Sequence, residues 1–251
     1  MLTQLNSLAV LQCIGSKTPD FLQGQFTCDM RLLAKHGDSS FTACCDHRGR
    51  MIATFWVVRW HDDFLLLTHQ SLALLLCEHL KKYAVFSEVL ITLREHFFLA
   101  ELFNETQKNN DCVMIALPNL HRQLIVTAQN PCPEITLHED ETHWRKNNIQ
   151  DEIAILCDKT SLLFTPHMIH LEKLGGVSFN KGCYVGQEIV ARTHYLGSVK
   201  RQLKQITLTL VTPLNAGDSL SFDQHGSDGV VIDAVEIVKN QYDVLAVVRT
   251  V

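Results

Sequence analysis

The chain has 251 residues, of which 46% are hydrophobic and 20% charged, with a mean hydropathy of +0.04. That is enough apolar material for one large globular domain or two smaller ones. A net charge of −5 and an isoelectric point near 6.2 exclude a general attraction to nucleic-acid phosphates. The nine cysteines are odd in number and follow no disulfide or CxxC spacing, which points to a reducing compartment.

From the N-terminus, residues 1–20 show neither a basic leader region nor a long apolar core, so no export signal is expected. No apolar run is long enough to cross a bilayer, and a cytoplasmic protein without membrane contact is the plain expectation. Thr18-Pro19-Asp20 predicts a helix start capped by Thr18, running through Phe21 and ending at Gly24. Phe41–Cys45, Met51–Trp60 and Phe64–Leu67 read as strands, joined by turns at Asp46–Gly49 and His61–Asp63. Ser71 is the expected cap of an apolar helix ending near Lys82.

Val89–Leu93 and Phe97–Phe103 read as an antiparallel pair, followed by weaker strands at Val113–Ala116 and Gln123–Thr127. Thr106–Asp111 reads as an exposed polar loop. The polar stretch His138–Gln150 is expected to be a helix docked by Trp144. Beyond residue 200 short strands at Ile206–Leu210, Ser219–Phe222, Gly229–Ile237 and Asp243–Val248 predict a small antiparallel barrel. A boundary is therefore placed near residue 200, within 197–202.

The stretch Lys181-Gly-Cys-Tyr-Val-Gly-Gln-Glu188, continued by Ile189-Val-Ala-Arg192, sets Cys183 in polar, glycine-rich surroundings. A helix starting near Val185 or Gly186 would present its positive end to the sulfur, and Lys181 adds a second positive influence. Both favour the reactive thiolate. A cysteine in a glycine-rich turn can equally be inert. No second ligand lies at metal spacing around it, so no metal site is expected. His167 and His170, three apart, read more readily as solvated or packed histidines.

This stretch resembles the signature of the YgfZ family of folate-binding-type proteins, which are related to the glycine cleavage T-protein, an aminomethyltransferase. Phe21-Leu-Gln-Gly-Gln25 with Thr27 and Asp29 resembles the family's N-terminal motif, and Cys45-Asp-His-Arg-Gly-Arg50 its hairpin turn. Leu80–Tyr83, Leu163–Pro166, Gly175–Phe179 and Lys200-Arg201 agree in order, so the resemblance spans nearly the whole chain. Departures fall at Pro166-His167 and His170-Leu171, where the family commonly has Pro-Gln and Asn-Leu; ligand contacts would differ if these histidines lined the channel. The glycine often found after the Trp144-type helix is also not evident.

The resemblance implies an α+β fold: a three-lobed ring of two α+β lobes, about 1–100 and 101–200, consecutive or interleaved, closed by a C-terminal barrel over 201–251. It implies a tetrahydrofolate-binding accessory factor for iron–sulfur enzymes, including tRNA-modifying radical enzymes, with those enzymes rather than nucleic acid as partners. A folate-dependent aminomethyltransferase and a non-catalytic scaffold are the alternatives. Cys183 is the expected catalytic group. Gln187 or Glu188 could read a pterin edge, and Arg50, Lys181 and Arg192 the glutamate tail. Asp29 or Asp46 could lie near the reactive nitrogens, and Gly182, Tyr184 and Gly186 of the loop are expected to contact the folate as well. Each has a plainer reading: Arg50 as a turn flank, Asp29 as a cap, Tyr184 as core, and Glu188 with Arg192 as a surface pair.

Overall fold

In a computed structural model the described residues are 2–103, 112–128, 137–197, 200–221 and 228–249. The polar stretch 106–111 lies outside them, as does part of the boundary at 197–202. The chain opens with two strands the sequence reading did not assign, β1 (Leu2–Gln4) and β2 (Leu8–Ile14). Along Leu8-Ala-Val-Leu-Gln-Cys-Ile the neighbours Val10 and Leu11 are both buried, so β2 is covered on both faces, as fits a strand paired on either side within its sheet.

Helix α1 (Thr18–Gln23) is preceded by Lys17 in the cap position, so Thr18 is its first residue and not its cap. The strands β3 (Ser39–Cys45), β4 (Met51–Trp60) and β5 (Asp63–His69) follow. Eight consecutive residues of β4 are buried, which is why its sequence is a continuous apolar run. Helix α2 (Gln70–Ala84) is capped by the His69 ring, whose Nδ1 accepts from Ser71 N at 3.2 Å; the expected cap Ser71 lies inside the helix. With β6 (Leu90–Arg94), these strands form an antiparallel sheet in the order β3-β4-β5-β2-β6.

A second sheet takes β7 (Phe98–Phe103), β8 (Cys112–Ala116), β9 (Arg122–Thr127) and β10 (Leu137–His138), in the order β10-β1-β7-β9-β8. Its strand β1 comes from the chain start and pairs parallel with β10 and antiparallel with β7. Helix α3 (Thr142–Gln150) carries Trp144, which is buried against Trp56 with ring centroids 6.0 Å apart. Helix α4 (Gln187–Leu196) carries the second half of the signature.

The C-terminal strands β11 (Arg201–Thr209), β12 (Ser219–Ser221), β13 (Asp228–Val238) and β14 (Gln241–Arg249) form an antiparallel half-barrel, ordered β11-β14-β13-β12. One continuous core runs from Leu11 and Phe55 through Trp144 and Phe164 to Leu203 and Leu245. The whole is an α+β arrangement of three sheets and few helices.

Candidate functional site

The turn between β3 and β4 is built by Asp46, whose Oδ1 accepts from Arg48 N at 2.9 Å and Arg50 N at 2.8 Å. Gly49 follows with φ 69°, and a Cβ there would come within 3.1 Å of the Ile189 side chain. From the other side Gly186, with φ 83°, packs onto the same turn. Its Cβ would stand 2.4 Å from Asp46 O and 3.1 Å from Gly49 Cα. Both glycines are demanded by backbone conformation and by this contact, which docks the signature loop on the hairpin. Helix α4 starts at Gln187 with Gly186 as its cap, one or two residues later than the sequence suggested.

Within the loop, Lys181 turns inward. Its buried Nζ donates to Phe26 O at 2.7 Å and Cys28 O at 2.6 Å, and lies 5.0 Å over the Tyr184 ring. Burial lowers its pKa to about 8. Tyr184 is buried as well, and burial pushes its phenol above the usual range. Cys183 is exposed between them, whereas the other described cysteines are buried or, at Cys112, half-buried. A Cβ on Gly182 would meet no atom within 4 Å, so internal packing does not require glycine there.

Residues 177–180, immediately before the loop, form one wall of a cavity of about 850 Å³. That lies in the range of about 300–1,000 Å³ typical of small-molecule sites. Phe41, Trp56, Leu117, Pro118 and Phe179 give it flat apolar surface, and Asp29 supplies a carboxylate. The Arg31 guanidinium meets Asp29 at 2.9 and 2.6 Å, and Gln23 Nε2 adds a bond at 3.0 Å. The hydrogen bonds from Arg31, assisted by Gln23 and opposed by partial burial, hold this carboxyl well below the usual range. It is an anion at neutral pH and a poor base.

The wall is pinned from behind. Thr27 Oγ1 donates to Gly176 O at 2.6 Å, and Ser178 N to Thr27 O at 2.8 Å. A Cβ on Gly176 would be 2.2 Å from Phe41 O, so this wall closes onto β3 only with glycine at 176.

Of the candidate residues singled out in the sequence, Asp29 lines this cavity, whereas Asp46 builds the β3–β4 turn and does not. Lys181, Gly182, Cys183, Tyr184 and Gly186 form the adjoining loop. Gln187 is half-buried at the start of α4, and Glu188 and Arg192 are exposed on it without forming the expected ion pair. Arg50 donates to Leu163 O and does not line the cavity. His167 and His170 do not line it either. His167 is buried, with Nε2 2.8 Å from Val190 O and Nδ1 3.5 Å from Glu172 Oε2. Burial works to lower its pKa, but Glu172 and the Val190 carbonyl outweigh this and hold it above an ordinary histidine. Sequence reasoning missed Phe41, Trp56, Lys173 and Phe179 as cavity residues; only Phe179 carried a signal, as part of the Gly175–Phe179 motif.

Among the described residues no helix is long and apolar enough to cross a membrane. No family model matches the chain. A tRNA-modifying protein YgfZ of Aliivibrio fischeri (strain ATCC 700601 / ES114) is 31% identical over 242 residues, covering 87% of this chain and 74% of the relative. One of Sodalis glossinidius is 29% identical over 278 residues, covering 99% and 84%. Among solved structures, the glycine cleavage system aminomethyltransferase T of Bartonella henselae shares the fold, with a TM-score of 0.70. It is 16% identical and covers 99% of this chain and 78% of its own. With close to a third of its residues shared along most of both sequences, the chain belongs to the YgfZ family.

Proposed function

We propose that this protein binds a reduced folate in the 850 Å³ cavity and uses Cys183 to support iron–sulfur enzymes, those that modify tRNA among them. The observation that carries the reading is that one segment serves both parts. Residues 177–180 wall the cavity, and the exposed Cys183 follows three residues after Asn180. Three residues of chain span at most about 11 Å, so the thiol is tethered near the cavity wall. Lys181 strengthens the link by bonding to the carbonyl of Cys28, itself a wall residue beside Asp29.

The residues suit a pterin and its aminobenzoyl linker. Phe41, Trp56 and Phe179 offer aromatic faces for flat rings. The ionised Asp29 keeps acceptor capacity on Oδ2, which takes one bond from Arg31, for a ring N–H or amino donor, while Oδ1 is filled by Arg31 and Gln23. Its depressed pKa suits holding a cationic or donor group better than removing a proton. The name carried by the relatives links them to tRNA modification. A client enzyme, not tRNA itself, is the proposed partner, because a chain of net charge −5 has no general attraction for phosphates.

An aminomethyltransferase-like activity is the second reading, favoured by the shared fold. Calorimetric titration with tetrahydrofolate is expected to saturate and to raise the melting temperature. Cys183→Ala is expected to retain folate binding while losing support of iron–sulfur enzyme activity in a deletion strain. Full complementation by that variant would remove the thiol from the function. Formation of methylene-tetrahydrofolate from an aminomethylated carrier protein would favour the second reading.

A further inference from the structure

The cavity's charges raise the question of what recognises an acidic ligand there. Lys181, Arg50 and Arg192 do not line it. Lys181 is spent on two carbonyls, and Arg50 on Leu163 O. Arg31, next to the cavity, is committed to Asp29. Among the described lining residues the one cation is Lys173, set against two carboxylates, Asp29 and Asp38.

Lys173 lies on the tight 170–175 turn, between His170 at φ 54° and Gly175 at φ 73°. Its side chain is exposed, and its Nζ meets His170 Nδ1 at 3.3 Å. It forms no ion pair with a described carboxylate, although Glu152 Oε2 approaches the same ring nitrogen at 3.3 Å. A cation left without an anion at the rim of a cavity, in an acidic protein, is available to an anionic ligand.

We propose that Lys173 is the specificity-determining residue for the carboxylate-bearing tail of the ligand. The ring system enters first and the tail lies at the 170–175 turn. This rests on the folate reading of the cavity. A lysine there acts as a point charge, without the two-pronged geometry an arginine would impose. The preference is therefore electrostatic, sensitive to salt, and modest in size.

The test is calorimetric titration of the intact protein with tetrahydrofolate and with its glutamate dimethyl ester. The ester keeps the ring and linker and removes both charges. Wild-type protein is expected to bind the acid about three- to fivefold more tightly than the ester, the range for an ion pair at an exposed rim. Lys173→Gln is expected to weaken the acid to the level of the ester and leave the ester unchanged. Lys173→Arg should restore the preference, and all variants should keep the wild-type melting temperature without ligand. Equal wild-type affinity for acid and ester overturns the role of Lys173 alone. So does a Lys173→Gln variant that weakens both ligands equally or neither. Wild-type protein that binds neither compound overturns the folate reading itself.

Discussion

With Cys183 exposed and Cys13, Cys28, Cys44, Cys45, Cys77 and Cys157 buried, iodoacetamide added to native protein should label Cys183 first among them. Burial also holds the thiols of Cys13, Cys44 and Cys45 above the usual range, which suppresses their thiolate. Peptide mapping by mass spectrometry checks this, and labelling of a buried thiol before Cys183 would contradict it. The two glycines of the loop should separate as sharply. Gly186→Ala meets both a left-handed φ and a backbone atom at 2.4 Å, and should cost about 2 kcal/mol or more in urea unfolding. Gly182→Ala meets nothing and should change stability by less than about 0.5 kcal/mol. Sequence marked both glycines alike, because a glycine's neighbours across space are invisible in the chain.

At the scale of elements, His167 ties α4 to the 3₁₀ turn Pro166–Ile169 through the Val190 carbonyl. The groups around its ring are Glu172 on the following turn, and Phe179 and His194, whose rings lie 6.0 and 5.8 Å away. Because its pKa is raised on folding, its contribution to stability is fully present below the unfolded value of about 6.5. It is lost as pH rises through the folded value. The stability difference between wild type and His167→Gln, measured by denaturant titration across pH, should therefore shrink from mildly acid to alkaline pH. A difference that grows with pH would show the histidine to be neutral throughout. The sequence singled out His167 as a departure from the family, but whether it lines a channel or clamps a helix depended on which elements met.

For the molecule as a whole, the least legible feature is the buried charge cluster under α3. Arg122, on β9, is fully buried and bonds Glu101 on β7 at 2.6 Å, Asn148 at 2.8 Å, and Asp151. Its guanidinium stands 5.1 Å from the Trp144 ring. The cluster joins the second sheet to α3, which in turn packs on the C-terminal half-barrel through Arg145 and Asp233. Arg122→Met should cost about 3–5 kcal/mol in thermal or urea unfolding, because Glu101 would remain as an uncompensated buried charge. A near-neutral result would mean that the cluster does not depend on its guanidinium.

The sequence by itself determined the elements whose signals are local. Continuous apolar burial made β4, alternation marked the second half of β11, and the hairpin turn at Asp46–Arg50 followed from its Asp and Gly. The signature around Cys183 was equally readable, since a run of eight consecutive residues needs no folding to be recognised. Only the tertiary structure decided that β1 joins a sheet formed a hundred residues later, that Lys181 faces inward, and that Lys173 stands at a cavity rim beside His170 with no described carboxylate as partner. These depend on contacts between distant segments. A side chain's partner is set by which backbones approach it in space, and nothing in its own neighbourhood along the chain encodes that approach.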